Sequence, residues 1–95
     1  MVSPAVIIDA RDNVATALRQ IQKGEKLELS RGCEHLEIVL LQAVSLGHKF
    51  AIIPISRGAE VIKYGEIIGR ATARISAGQH VHIHNVEGLK GRGDR

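Results

Sequence analysis

Apolar and polar residues alternate along this chain over short runs, and glycines separate many of the runs. Alternation with a period of two is typical of half-buried β-strands, and glycine favours the turns between them. The pattern predicts short strands in seven segments, at residues 5–8, 26–30, 36–41, 50–54, 60–64, 72–75 and 80–86. The apolar residues are mostly Ile, Val, Leu and Ala, so we expect an aliphatic, β-rich core.

One segment has helical spacing. Apolar side chains recur there at intervals of three or four residues, at Val14, Ala17, Leu18 and Ile21. Asp12 precedes them as a candidate N-cap, and Gly24 follows as a plausible stop. We predict a helix over residues 13–22. The expected fold class is therefore α+β, mainly β with one or two short helices.

A second pattern repeats along the chain. The form apolar-x-x-Gly-x-x-apolar occurs at residues 21–27, 44–50, 55–61 and 75–81. Each occurrence suggests a corner in which an apolar residue anchors the incoming segment and glycine takes a positive φ. Ordinary hairpins often look similar, but four occurrences favour recurrent β corners over a solenoid.

Composition excludes several classes of protein. The 95 residues suit a single domain, and no apolar run reaches transmembrane length. Cys33 is the one cysteine, which excludes an internal disulfide, and residues 1–4 do not resemble the start of a signal peptide. We therefore expect a cytoplasmic protein without membrane contact. A net charge of +3, with only Phe50 and Tyr64 for base stacking, disfavours nucleic-acid binding.

The segment 80–85 carries the main candidate chemistry. On a strand, His80, His82 and His84 would share one face, and Val81 and Ile83 would face the core. Imidazole titrates near neutral pH and is a common metal ligand. No nearby cysteine or carboxylate motif completes a metal site. The pattern favours a partial metal site finished by another protein, or a general acid–base pair. A solvated strand face without a role remains the alternative.

Two further segments carry candidate binding groups. His48 and Lys49 follow a corner glycine, and Lys63 and Tyr64 follow an apolar pair. Lysine at such places can hold a carboxylate or phosphate as a point charge. The alternative is that both lysines are ordinary surface residues.

Five segments in order resemble a known family. They are Asp-Asn-Val-Ala at 12–15, Gly-His-Lys at 47–49, Val-Ile-Lys-Tyr-Gly at 61–65, Ile-Gly at 68–69 and Gly-x-His-Val-His-x-His-Asn at 78–85. Together they resemble the N-terminal domain of altronate and galactarate dehydratases and the small subunit of sulfolactate sulfo-lyase. The resemblance implies an SAF-type β-clip domain over residues 1–86. Residues 87–95 would form a tail or a junction toward a large catalytic subunit.

The resemblance also implies an activity. The family enzymes are lyases that eliminate water, or sulfite, from a sugar acid or a sulfolactate-type substrate. They need a divalent metal, usually iron, and we expect a large partner subunit to hold most of its ligands. The present chain would then be part of a carbon–oxygen or carbon–sulfur lyase and inactive alone. The leaving group stays open, as does homo-oligomer formation, and a non-catalytic assembly module is the alternative.

The resemblance assigns roles to individual residues. His82, His84 and Asn85 are the expected catalytic residues, and His82 and His84 would also form a partial metal site. His80 precedes the matched element and is a weaker candidate. The expected substrate-binding residues are His48, Lys49, Lys63 and Tyr64.

Overall fold

The computed structural model describes residues 3–88, and this part of the chain consists of strands and turns. The strands are β1 (Ala5–Val6), β2 (Val14–Ala17), β3 (Lys26–Arg31), β4 (Glu34–Val39), β5 (Lys49–Ala51), β6 (Glu60–Lys63), β7 (Glu66–Ala71), β8 (His80–Val81) and β9 (Val86–Gly88). No helix within residues 3–88 is long and apolar enough to cross a membrane.

The strands form three small antiparallel sheets. One has the order β1-β2-β5-β8, the second is the β3–β4 hairpin, and the third has the order β6-β7-β9. β9 extends to Gly88, two residues past the domain boundary expected at residue 86. The rest of the expected tail lies outside the described residues. The fold class is therefore all β, and the expectation of one or two helices is wrong for residues 3–88.

Two apolar clusters form the core, and the β2–β5 pair lies between them. Ala15 and Phe50 pack into the larger cluster, which also contains the inward side chains of the β3–β4 hairpin. Their chain neighbours Val14 and Ala51 point the other way, into the smaller cluster around Val61. β2 and β5 are thus apolar on both faces, as is expected of strands covered on both sides.

This double burial explains why the helix predicted over residues 13–22 is wrong. Val14 and Ala15 are both buried although they are adjacent, so the alternation that marks a half-buried strand is lost. Leu18, which completed the helical spacing, is 45% exposed. Asp12 caps no helix. Its buried carboxylate instead accepts hydrogen bonds from the backbone N–H groups of Ile8, Asp9 and Gly65.

Most of the other strand predictions hold with shifted ends, but the one at residues 72–75 is wrong. The strand in that region is β7, which ends at Ala71.

Gly69 lies within β7, although a glycine in a sequence normally signals a turn. A side chain there would bring Cβ to 2.5 Å from the carbonyl oxygen of Glu87, so the close approach of β9 requires glycine.

The four predicted corners are confirmed. Their glycines all have φ between +85° and +88° and each donates a backbone hydrogen bond to a neighbouring segment: Gly24 to Leu40, Gly47 to Ala17, Gly58 to Ala71 and Gly78 to Ala51. The apolar residues that begin the corners pair by isolated bridges, Ile21 with Val44 and Ile55 with Ile75. The repeat in the sequence therefore corresponds to two pairs of equivalent turns.

Candidate functional site

Strand pairing between β5 and β8 brings two distant histidine-bearing segments together. Lys49 pairs with Val81, and Phe50 pairs with His80. This register places His48, just before β5, beside the end of β8. The side chain of Gln42 also contributes, because its Oε1 accepts a hydrogen bond from the backbone N–H of His80 at 2.9 Å. Sequence reasoning missed Gln42, since nothing in its neighbourhood signals a contact with residue 80.

The strand predicted over residues 80–86 is wrong beyond Val81, where a turn begins. Asn85 holds this turn: its Oδ1 accepts from the backbone N–H of His82 at 2.9 Å, and its Nδ2 donates to the carbonyl of His80 at 2.8 Å. An asparagine side chain that bonds the nearby backbone competes with the strand ladder. Ile83, expected in the core, is 84% exposed at the tip of the turn.

The histidines nevertheless converge, with a different partner from the one expected. The rings of His48, His80 and His82 stack nearly parallel, with centroids 4.9 to 5.5 Å apart and interplanar angles of 12° to 16°. Nδ1 of His48 lies 3.0 Å from Nε2 of His80. His84 is exposed, and its ring is tilted by 39° against His80 at 5.4 Å.

Three ring nitrogens of this cluster lie close enough together to contact one metal ion after small side-chain shifts. One nitrogen from each of His48, His80 and His82 lies within 4.8 Å of the others, and among residues 3–88 no other histidine, cysteine or carboxylate group of three does so. We call these three residues the histidine triad. His80, the weaker candidate in the sequence, is thus a member, and His84 is not.

The surroundings favour the neutral form of two imidazoles of the triad, those of His80 and His82. Partial burial lowers the pKa of His80 first, and the nearby charges of His48, His84, His82 and Lys49 lower it further. Partial burial also lowers the pKa of His82, and the nearby charges of His48, Lys49 and His84 lower it further. A neutral imidazole is the form that accepts a proton or binds a metal.

The predicted lysines flank the triad. Lys49 and Lys63 line, with His82, a groove of about 360 Å³ whose apolar wall includes Ile68 and Val86. Partial burial lowers the pKa of Lys49, and the positive charge of Lys63 lowers it further. An anion bound in the groove would relieve this repulsion, so the groove suits a carboxylate or a similar group.

Tyr64 lies at the edge of the same surface. It and Gly65 form the two-residue turn between β6 and β7, with φ of +56° and +79°. The Tyr64 hydroxyl lies 3.4 Å from Oγ1 of Thr16, and Nζ of Lys63 lies 4.9 Å from the ring centroid. The site residues predicted from the sequence therefore lie at the groove, in the triad or in contact with one of these residues, except that Asn85 is buried beneath them.

Comparison of the chain with known protein families identifies a domain family to which it belongs. The family model described as the altronate/galactarate dehydratase SAF domain matches residues 3–89. The chain is a member of this SAF domain family, which confirms the resemblance seen in the sequence.

Its relatives include parts of two kinds of lyase. The chain is 47% identical over 78 residues to altronate dehydratase of Escherichia coli, and 40% identical over 80 residues to that of Bacillus subtilis. These matches cover 82% and 84% of the chain but 15% of each dehydratase. The (2R)-sulfolactate sulfo-lyase subunit alpha of Chromohalobacter salexigens is 42% identical over 52 residues, which is 55% of either chain. The chain thus spans a small part of the first relatives and about half of the third.

Proposed function

We propose that this chain is the small subunit, or an N-terminal module, of a lyase that eliminates water or sulfite from a hydroxylated carboxylic acid. The active site would form where the triad face meets a large catalytic partner subunit, and the chain would be inactive without it. The observation that carries the proposal is the convergence of three imidazoles beside a groove that one of them, His82, lines together with two lysines. The relationship to one named subunit of a sulfo-lyase supports a partner.

The residue types suit the chemistry of elimination. Lys49 and Lys63 would hold the substrate carboxylate by charge, which also makes the adjacent C–H bond more acidic. His82 lines the same groove, where a neutral imidazole free of metal would accept the proton from that carbon. With an ion bound to His82, the neighbouring exposed His84 would accept the proton instead and return it to a departing hydroxyl group. The electron pair left on carbon forms the double bond as the hydroxyl or sulfite group departs from the next carbon. The resulting enol rearranges to a 2-keto acid.

Two other groups would assist. His84 is exposed beside the triad and would donate a proton to a departing hydroxyl group. Asn85 would act by fixing the backbone of His80 and His82, because both polar atoms of its side chain bond that backbone. A divalent metal, for which we propose iron with coordination completed by the partner, would supply positive charge beside the developing enediolate.

Reconstitution with a partner tests this function. We would co-express the chain with a large dehydratase-like subunit, such as one encoded by a neighbouring reading frame. We would supply altronate, galactarate and sulfolactate in turn, and measure 2-keto acid and sulfite. We expect turnover of one acid by the complex and none by either chain alone. Folded complexes that turn over none of the three acids would refute the proposal.

A non-catalytic assembly module is the second candidate. It is favoured by the small share, 15%, of each altronate dehydratase that this chain spans. The variant His82→Ala separates the two readings, with His35→Ala on β4 as the control outside the site. We expect kcat to fall at least about 100-fold in His82→Ala, the size of a general-base effect, and to stay unchanged in the control. Full turnover by an assembled His82→Ala complex would establish the assembly reading.

A further inference from the structure

We infer that His48, His80 and His82 form, within this chain alone, a three-imidazole site for a divalent transition-metal ion. This deepens the proposed function, because the sequence predicts a partial site at His82 and His84 with most ligands from a partner. The inference concerns the same face of the domain, but it does not depend on lyase activity.

The distances fit a shared ion after small side-chain rotations. Imidazole nitrogens bind zinc-like ions at about 2.0–2.1 Å, which places two ligands of a tetrahedral site about 3.4 Å apart. Nδ1 of His48 and Nε2 of His80 are already 3.0 Å apart. The ligand nitrogen of His82 lies within 4.8 Å of both, so a shift of the ring by about 1.5 Å would complete the site.

The backbone of the triad is held in place before any ion binds. The pair of Lys49 with Val81 fixes the strands that carry His48 and His80. The side chain of Asn85 accepts from the backbone N–H of His82, and it donates to the carbonyl of His80. Side chains that converge from fixed backbones lose less entropy when they bind an ion.

The donor set also restricts the metal. Three imidazoles, with no carboxylate in the triad, suit Zn²⁺, Co²⁺, Ni²⁺ or Fe²⁺ and disfavour Mg²⁺ and Ca²⁺, which prefer oxygen ligands. Three protein ligands leave at least one coordination position for water or another ligand. Lys49 lies beside His82 at the groove, so a negatively charged fourth ligand is favoured there.

Metal titration of the isolated, metal-stripped chain tests the site. We would add Co²⁺ and follow its visible absorption, then displace it with Zn²⁺ and measure heat by calorimetry. We expect one ion per chain, with no comparable binding of Mg²⁺. Replacing any one triad residue by Gln should weaken the affinity for Co²⁺ at least about tenfold, because the site loses one of three ligands.

Two matched histidine variants serve as controls. His35→Gln changes an exposed histidine on β4, and His84→Gln changes the histidine that neighbours the triad without belonging to it. Both should bind Co²⁺ within about threefold of the unaltered chain, a difference below 1 kcal/mol. A loss in His84→Gln as large as that in His80→Gln would overturn the assigned ligand set, and absence of binding by the unaltered chain would overturn the site.

A second measurement uses only the unaltered chain, so it tests the site even if a substitution prevents folding. Paramagnetic Ni²⁺ added to the unaltered chain should broaden the ring signals of His48, His80 and His82 in NMR spectra, and it should leave those of His35 sharp. Uniform broadening of all the histidines would indicate nonspecific binding and would overturn the inference. Metal binding without turnover in the assembled complex would instead refute the proposed function and leave this inference standing.

Discussion

Two hydrogen bonds connect Asn85 and His82 across a single turn. The side-chain Oδ1 of Asn85 accepts the backbone N–H of His82 at 2.9 Å, and the backbone N–H of Asn85 donates to the carbonyl of His82 at 3.0 Å. These bonds end β8 after Val81 and turn the chain outward. The position of the His82 ring at the triad is therefore set by a buried residue that does not itself reach the groove.

Removing this amide should loosen the turn. In Asn85→Ala the backbone N–H of His82 and the carbonyl of His80 lose their partners, and we expect the free energy of unfolding to fall by about 1–3 kcal/mol. Chemical denaturation measures the change. Asn85→Asp keeps the acceptor for His82 but loses the donor to His80, so it should lie between Asn85→Ala and the unaltered chain. Equal stability of all three would contradict the role given to Asn85.

Asp12 also holds backbone through its side chain, but it connects segments that are far apart in the sequence. Its fully buried carboxylate accepts three backbone N–H groups, including that of Gly65 at 2.8 Å. We expect Asp12→Ala to lower the free energy of unfolding by at least about 3 kcal/mol, since three donors lose their acceptor.

A surface carboxylate gives the matched control for Asp12. Glu37→Ala removes an exposed ion pair with Lys26 at 3.4 Å and should cost less than about 1 kcal/mol in the same denaturation experiment. If the two substitutions had similar effects, the three hydrogen bonds of Asp12 would not be what stabilises this part of the fold.

The sequence predicted those strands and turns whose conformation is determined by residues close together in the chain. The β3–β4 hairpin alternates buried and exposed residues along β3, and the corner glycines adopt the positive φ that their pattern indicated. The helix prediction failed because β2 is covered on both faces, which only the packing of the whole domain reveals. Family membership was predictable because several short motifs occur in order.

Every residue of the triad was a candidate in the sequence, but which of the candidates meet was not predictable. A strand over residues 80–86 would have grouped His80, His82 and His84. The side chain of Asn85 ends that strand early, so His84 leaves the group. His48 takes its place through the pairing of Lys49 with Val81, a contact across more than thirty positions that no local pattern encodes.

Acid should destabilise the metal-free domain through the triad. His80 and His82 have a lowered pKa in the folded chain, whereas the pKa of a histidine in the unfolded chain is about 6.5. Between the folded and unfolded values the unfolded state binds more protons. Stability is therefore highest above about pH 6.5 and falls as the pH drops toward the folded value.

Urea denaturation at several pH values, with a chelator present, measures this dependence. The variant carrying both His80→Gln and His82→Gln should show a shallower loss of stability below about pH 6.5, because it lacks the groups whose protonation favours unfolding. Ser30→Gln, an exposed position on the β3–β4 hairpin, removes no titratable group and should keep the slope of the unaltered chain. An unchanged slope in the double variant would show that the triad does not cause the acid sensitivity.

Two corner glycines with the same backbone conformation allow strain and steric clash to be separated. Gly24 has φ of +86° and open space around its Cβ position, whereas a Cβ on Gly78 at φ of +88° would lie 2.1 Å from the carbonyl oxygen of Val39. Gly24→Ala should cost about 1–2 kcal/mol from the left-handed conformation alone. Gly78→Ala carries the same strain plus a clash with backbone that cannot move freely, so it should cost clearly more or prevent folding. Thermal and urea unfolding compare the two, and a similar small loss in both would mean that the corner at Gly78 is not held against β4 as the structure describes.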